Sequence, residues 1–159
     1  MKALLSVILL GSALILAGCG RKAPEGAAAE TTHIHKDVPP HGGTVVALGD
    51  DYNLELVRDG DAGTLSAYVL DDEMEEFIRV RDPAITIVAQ AGGQDQTLVL
   101  AAVANSATGE TVGDTSLFQA QADWLKSTPK FSGTLQRITI RGTPFATVHF
   151  DFPAGSAKE

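Results

Sequence analysis

From Gly43 onward the chain is written in short runs in which every second residue is apolar. Tyr52, Leu54 and Leu56 fall on one face of an extended strand, and Leu65, Ala67 and Val69 alternate with Thr64, Ser66 and Tyr68. Successive side chains of a strand point to opposite faces, so a period of two predicts strands over these residues. Residues 84–90, 97–103, 137–142 and 145–152 are further short β-rich runs. Between the runs stand Gly49-Asp50-Asp51, Asp59-Gly60-Asp61-Ala62-Gly63, Gly92-Gly93-Gln94-Asp95 and Arg141-Gly142-Thr143-Pro144, all turn chemistry. Short strands separated by regular turns predict an all-β fold, an antiparallel β-sandwich or small barrel of about 7–9 strands. One interruption is expected. The alternation weakens after Ser116, and Ala122-Asp123-Trp124-Leu125-Lys126-Ser127 before Pro129 predicts a strand followed by one short helix near residues 122–128.

In the last run, Ala146, Val148, Phe150 and Phe152 share one face by period, and Phe145, Thr147, His149 and Asp151 the other. The aromatic side predicts the core face, which sends His149 to solvent beside Asp151.

The beginning of the chain is of another kind. Lys2, an apolar run to Ala17, Gly18 and then Cys19 make a charged leader, a hydrophobic stretch and a small-residue cleavage site. The run is shorter than the roughly 20 apolar residues of a spanning helix. Leu16-Ala17-Gly18-Cys19 resembles the lipobox of bacterial lipoproteins. That resemblance implies a signal peptide over residues 1–18, lipid on Cys19, and attachment to a membrane. With Gly20 next, it implies the outer membrane facing the periplasm. A small, polar, aperiodic stretch follows, so residues 19–42 read as a lipidated flexible tether ending in a His/Pro arm. Residues 43–153 are then expected to form a single β-rich domain, and residues 154–159 a disordered tail.

Cys19 is the only cysteine. Once lipidated, it leaves no thiol for a disulfide, a nucleophile or a thiolate ligand. Any bound metal must be held by nitrogen and oxygen. The charge is acidic, with 12 Lys+Arg against 20 Asp+Glu and a net −8. Such a surface repels nucleic acid and favours cations or a basic partner. Between positions 50 and 82 stand eleven acids and three arginines, five of those acids within residues 71–76. Those five predict a solvated hairpin tip whose charge discourages edge pairing. Asp59 and its neighbours do not make a calcium loop, because Thr64 and Leu70 stand where glycine and glutamate are required.

Three of the four histidines lie in His33-Ile34-His35-Lys36-Asp37-Val38-Pro39-Pro40-His41-Gly42-Gly43. The prolines fix an extended path, and Gly42-Gly43 lets the chain turn into the first strand. In an extended segment His33 and His35 point to one side, and His41 can join them as a third imidazole. Neutral imidazole suits Zn²⁺, Cu²⁺ or Ni²⁺. The candidate ligands are therefore His33, His35 and His41, with Asp37, Asp72, Glu73 and His149 as weaker ones. Affinity at such a site should fall below about pH 6, as imidazoles protonate. The same stretch also reads as a strap between tether and domain. No G-x-S-x-G, P-loop, H-E-x-x-H or Rossmann glycine pattern is present, so no enzyme is expected.

The segments PPHGGTVVALGDDYNLELVRD, GTLSAYVLD, QADWLK and ITIRGTPFATVHFDFP resemble a group of small bacterial envelope lipoproteins with a Pro-His-Gly-Gly motif, over about residues 39–153. Residues 39–59 are more loosely similar to periplasmic segments of heavy-metal efflux adaptor proteins. The resemblance implies a β-rich periplasmic module and divalent-metal handling, and carries over His41. Asn53 stands where a histidine often precedes Leu-Glu-Leu, and Asp72-Glu73 where Gly-His often follows Leu-Asp. Those departures exchange nitrogen ligands for oxygen or remove the site. The first expectation is thus a lipid-anchored periplasmic domain that binds Zn²⁺, Cu²⁺ or Ni²⁺, accessory to metal homeostasis or to an efflux protein. The second is a metal-free envelope module that docks a protein partner through its sheet or acidic hairpin.

Overall fold

The computed structural model describes residues 38–156. They form eight antiparallel strands and one short helix. The strands are β1 (Thr44–Leu48), β2 (Tyr52–Asp59), β3 (Thr64–Asp71), β4 (Ala84–Ala91), β5 (Gln94–Ala102), β6 (Leu117–Gln121), β7 (Phe131–Ile140) and β8 (Thr143–Phe152), and the helix is α1 (Trp124–Ser127). All belong to one sheet, in the order β1-β2-β3-β6-β5-β4-β7-β8. The sheet curls into a nearly closed barrel, as the short alternating runs predict. No helix among the described residues is long and apolar enough to cross a membrane.

The tight connections follow turn chemistry. At the β4–β5 turn Gly92 and Gly93 have φ of 61° and 78°, and at the β7–β8 turn Arg141 and Gly142 have 49° and 91°. Two successive positive φ values are what a two-residue hairpin between twisted strands requires. In the β2–β3 hairpin, Asp59 Oδ1 accepts the backbone N–H groups of Asp61 and Ala62.

The inner face carries the core. Leu54, Leu56, Leu65, Ala67 and Val69 are fully buried beside Ile87, Leu100, Phe118 and Leu135. Fully burying one aliphatic side chain of this size contributes about 1.5–3 kcal/mol, so this face is the main source of stability. Helix α1 adds Leu125, also fully buried. Its last carbonyls are met by Arg58, whose Nε donates to the Leu125 oxygen at 2.6 Å and Nη2 to the Lys126 oxygen at 3.1 Å. At the other end of the helix Asp123 is held below its ordinary value by the Lys126 ammonium bonded to it.

Strands β1 and β8 are the two ends of the sheet order, and no ladder joins them. The gap is stitched by the residues that follow β8. Thr44 Oγ1 donates to the Pro153 carbonyl at 3.1 Å, the Ser156 N–H to the Val45 carbonyl at 3.1 Å, and the Ala47 N–H to Ser156 Oγ at 2.9 Å. The expectation of a disordered tail from residue 154 is therefore corrected for Ala154, Gly155 and Ser156. An open sheet edge next to them offers unpaired backbone groups, and they take them up. Residues 157–159 lie outside the described residues.

The acidic residues at 71–76 form a solvated tip, with Asp72, Glu73, Glu75 and Glu76 exposed. Its return arm is residues 76–78, which fold back antiparallel on β3, while β3 itself lies between β2 and β6 in the sheet. Asp71 N–H donates to the Glu76 carbonyl at 3.0 Å, Leu70 pairs with Phe77, and Met74 is buried at a φ of 58°. One further expectation changes: on β8, Phe145 packs on the core with its ring edge to Tyr52, centroids 6.0 Å apart, while Ala146 is exposed. The cause is Thr147, whose φ of 56° breaks the pleat and shifts the alternation by one residue.

Candidate functional site

The outer face of β2 should be polar and wet, yet Asn53 is 1 % and Glu55 0 % exposed. Two chain segments roof them. Over Glu55 lies the turn that precedes β1. The Gly42 N–H donates to the Pro39 carbonyl at 3.0 Å, closing a tight turn with Pro40 and His41 at its corner. Gly42 follows at a φ of 66°, which glycine adopts without steric cost. The bend aims two backbone N–H groups, those of His41 and Gly43, at Glu55 Oε1, each at 2.8 Å. Gly43 has no room for a side chain, since a Cβ there would stand 2.6 Å from the Leu56 carbonyl oxygen and 2.7 Å from Glu55 Cγ.

The imidazole completes the roof. His41 Nδ1 is 2.8 Å from Glu55 Oε2. An ionised carboxylate only accepts, so Nδ1 is the donor, and Nε2 has no partner among the described residues. The ring lies flat on Tyr68, centroids 3.8 Å apart at 14°, and Phe77 stands 5.8 Å away. Tyr68 is the register partner of Glu55 on β3, and Val45 is its partner on β1. A buried carboxylate is costly unless hydrogen-bonded, and this one accepts three bonds. The His41 side chain remains 36 % exposed. The result is an imidazole fixed in plane and tautomer by a carboxylate behind it, with one nitrogen open to a ligand.

Over Asn53 lies the 71–77 turn. Asn53 Nδ2 donates to the carbonyls of Asp71 and Asp72, both at 3.1 Å, and Asp71 Oδ1 accepts the N–H groups of Glu75 and Glu76. Asn53 Oδ1 is buried and has no partner among the described residues. The two roofing segments meet where His41 approaches Phe77.

Comparison with family models, with curated proteins and with solved structures finds no match. The residues themselves must carry the functional reading.

Of the residues singled out by sequence, His41 is at this site. Cys19, His33, His35 and Asp37 lie outside the described residues. Asp72 and Glu73 are exposed on the acidic turn. His149 is on β8, at the opposite end of the sheet order from β1, with Nδ1 2.9 Å from Thr134 Oγ1. Among the described residues no three of His, Cys, Asp and Glu form a group able to hold a metal ion. Glu55 and Tyr68 were not singled out. Their only signal is that both stand on the non-core face of adjacent strands, β2 and β3, which follow the His-Gly-Gly turn after β1.

A second carboxylate is buried elsewhere. Glu110, 8 % exposed, accepts from the Ser116 N–H at 2.8 Å, from Ser116 Oγ at 2.6 Å and from Thr108 Oγ1 at 2.6 Å. Burial raises its pKa, but the Ser116 and Thr108 hydroxyls, the Ser116 amide and the Arg79 guanidinium together hold it below its ordinary value. Arg79 also bonds Asp114 Oδ2 at 3.1 Å and the Thr108 carbonyl at 2.5 Å, so the whole 105–116 connection is pinned. It is a structural anchor of that connection.

Proposed function

We propose that this chain is a lipid-anchored envelope module that binds one divalent transition metal, Zn²⁺, Cu²⁺ or Ni²⁺, as an accessory to metal homeostasis or efflux. The observation that carries the reading is the Glu55–His41 pair. Metal-ligating histidines commonly donate their second ring N–H to a carboxylate, which fixes the tautomer and raises ligand basicity. His41 has that partner, and its Nε2 bonds no described residue. His33 and His35 stand eight and six positions upstream. Six residues span up to about 20 Å when extended, which is ample reach for either imidazole to join His41 at one ion. Asp37 is the nearest carboxylate in sequence. Cys19 is the lipid attachment point in this reading, and the outer membrane facing the periplasm is the compartment.

Calorimetric titration of the chain with Zn²⁺ and with Cu²⁺, in the presence of a weak competing chelator, tests it. The expected result is one-to-one sub-micromolar binding that is lost in His41→Ala and weakened in a His33→Ala/His35→Ala double variant. Weak binding that is equal in all three proteins overturns it.

One observation favours the metal-free alternative. Phe77, 46 % exposed, stands directly after the acids of the 71–76 turn. An exposed aromatic ring next to acidic side chains suits a protein partner carrying basic residues. In that case reversing charge at Asp72 and Glu73 abolishes partner capture, and His41→Ala leaves metal response unchanged because there is none.

A further inference from the structure

A different surface remains without a role. On the outer faces of β4, β7 and β8 lie two adjoining grooves of about 670 and 600 Å³, which share Gln90, Ser132 and Asp151. Strand register explains why these residues meet. Asp95 on β5 is opposite Gln90 on β4, Gln90 is opposite Ser132 on β7, and Ser132 is opposite Asp151 on β8. Four polar side chains thus stand in one row across four strands. At about 4.8 Å per strand the row is about 14 Å long. The next row is Val88, Thr134 and His149. Gly155 and Ser156, which stitch the seam, help to line the larger groove.

The row is partly tied and partly open. Ser132 Oγ donates to Asp151 Oδ1 at 2.7 Å, and Thr134 Oγ1 is 2.9 Å from His149 Nδ1. These bonds orient the carboxylate and the imidazole, while Asp151 Oδ2 and His149 Nε2 bond no described residue. The smaller groove adds an apolar wall on the other side of the row. Phe152, half-buried, is stacked on Phe131 with centroids 5.0 Å apart at 8°, and Lys130 and Pro153 flank them.

We propose that this groove binds a neutral polyhydroxylated ligand, a short oligosaccharide. The chemistry of the row selects that class. Carboxylate, carboxamide, hydroxyl and carboxylate groups in succession, with the His149 imidazole in the next row, offer the acceptors and donors that neighbouring hydroxyls need. The exposed part of Phe152, backed by the buried Phe131, supplies a small apolar surface for the C–H face of a sugar ring at one end of the row, and the row is the length of a few rings. Two carboxylates, Asp95 and Asp151, disfavour an anion. An apolar ligand would leave the row's polar groups desolvated and unpaired. The site is separate from His41 and does not rest on the metal reading.

Amide-resolved NMR titration of the full chain with chitotriose and with maltotriose tests the proposal. The expected result is saturable shifts at Gln90, Ser132 and Asp151, with dissociation constants of about 1 mM or tighter. Gln90→Ala and Asp151→Ala should each weaken binding about tenfold, and His41→Ala should leave it unchanged. Gln90 makes no side-chain bond among the described residues, so that variant keeps the test valid if Asp151→Ala unfolds. Absence of shifts with both sugars overturns the proposal. So does stronger binding of trilysine at the same amides, which would make the groove a site for basic peptides.

Discussion

Glu55 holds His41 at two points, taking its backbone N–H on one carboxylate oxygen and facing its ring Nδ1 with the other, both at 2.8 Å. The main-chain bond sets the position of the residue, and the ring bond sets the tautomer. Glu55→Gln separates the two. Its amide oxygen can still accept the N–H groups of His41 and Gly43, so the turn persists. Its amide nitrogen would then face Nδ1 as a donor, which moves the ring proton to Nε2 and closes the nitrogen that a metal needs. We expect Zn²⁺ affinity to fall about 10–100-fold, the range for loss of an outer-shell partner. Calorimetry with a parallel thermal melt checks this, and an unchanged affinity would remove Glu55 from any metal role.

Gly42 and Gly43 differ in what they do, and alanine at each should show it. At Gly42 nothing lies within 4 Å of a new Cβ, but φ is 66°. The cost is conformational alone, about 1 kcal/mol. At Gly43 a Cβ would meet the Leu56 carbonyl at 2.6 Å and Val57 Cγ2 at 2.8 Å. Backbone cannot step aside as a side chain can, so overpacking of about 1–3 kcal/mol or more is expected. Urea denaturation of the two variants should rank Gly43→Ala as the less stable. The reverse ranking would mean that the turn does not sit against β2 as described.

Period-two reading was enough for the strands, because Leu54, Leu56, Leu65, Ala67 and Val69 do face one core. Trp124-Leu125 before Pro129 was enough for the helix. The candidate site was only half legible. His41 stood out as a histidine between proline and glycine, but Glu55 looked like any solvent-facing residue of an amphipathic strand. Its burial comes from a roof formed by residues 14 and 12 positions earlier, a long-range contact with no periodic signature. Phe145 was misplaced for a local reason. A positive φ at a β-branched residue such as Thr147 is uncommon, and the only sequence trace of the change of phase is on the partner strand β7, where Leu135 is followed by Ile138 and Ile140.

Glu110 predicts a pH dependence whose sign follows from its lowered pKa. A carboxyl that is more acidic folded than unfolded contributes stability that is complete above the unfolded value, 4.5 for a free glutamate, and is lost as pH falls through the lower folded value. The chain should therefore lose stability below about pH 4.5, in the acid range where Glu110 takes up its proton. Glu110→Gln should cost about 1–3 kcal/mol at pH 7, since it replaces a charged acceptor of three bonds by an amide. It should also flatten the acid limb. Denaturant midpoints of both proteins from pH 7 to pH 3 decide it, and parallel curves would show that Glu110 is not a linked group.

The stitched seam makes the last residues of the described chain part of the barrel. Truncation after Pro153 removes the Ser156 N–H that reaches the Val45 carbonyl and the Ser156 Oγ that accepts from Ala47. It keeps Pro153 and its bond from Thr44 Oγ1. The expected effect is local. Strand β1 still pairs with β2 along Thr44–Leu48, so the sheet stays folded, but its free edge opens to water. Hydrogen exchange at the Ala47 amide should accelerate at least tenfold, while core amides of β4 and β5 should not change. A single Ser156→Ala substitution separates the side-chain bond from the backbone one. It should accelerate Ala47 alone, because the Ser156 N–H is retained. If truncation leaves Ala47 as protected as in the full chain, the tail contributes nothing to closure and the seam is held by Phe145 against Tyr52 instead.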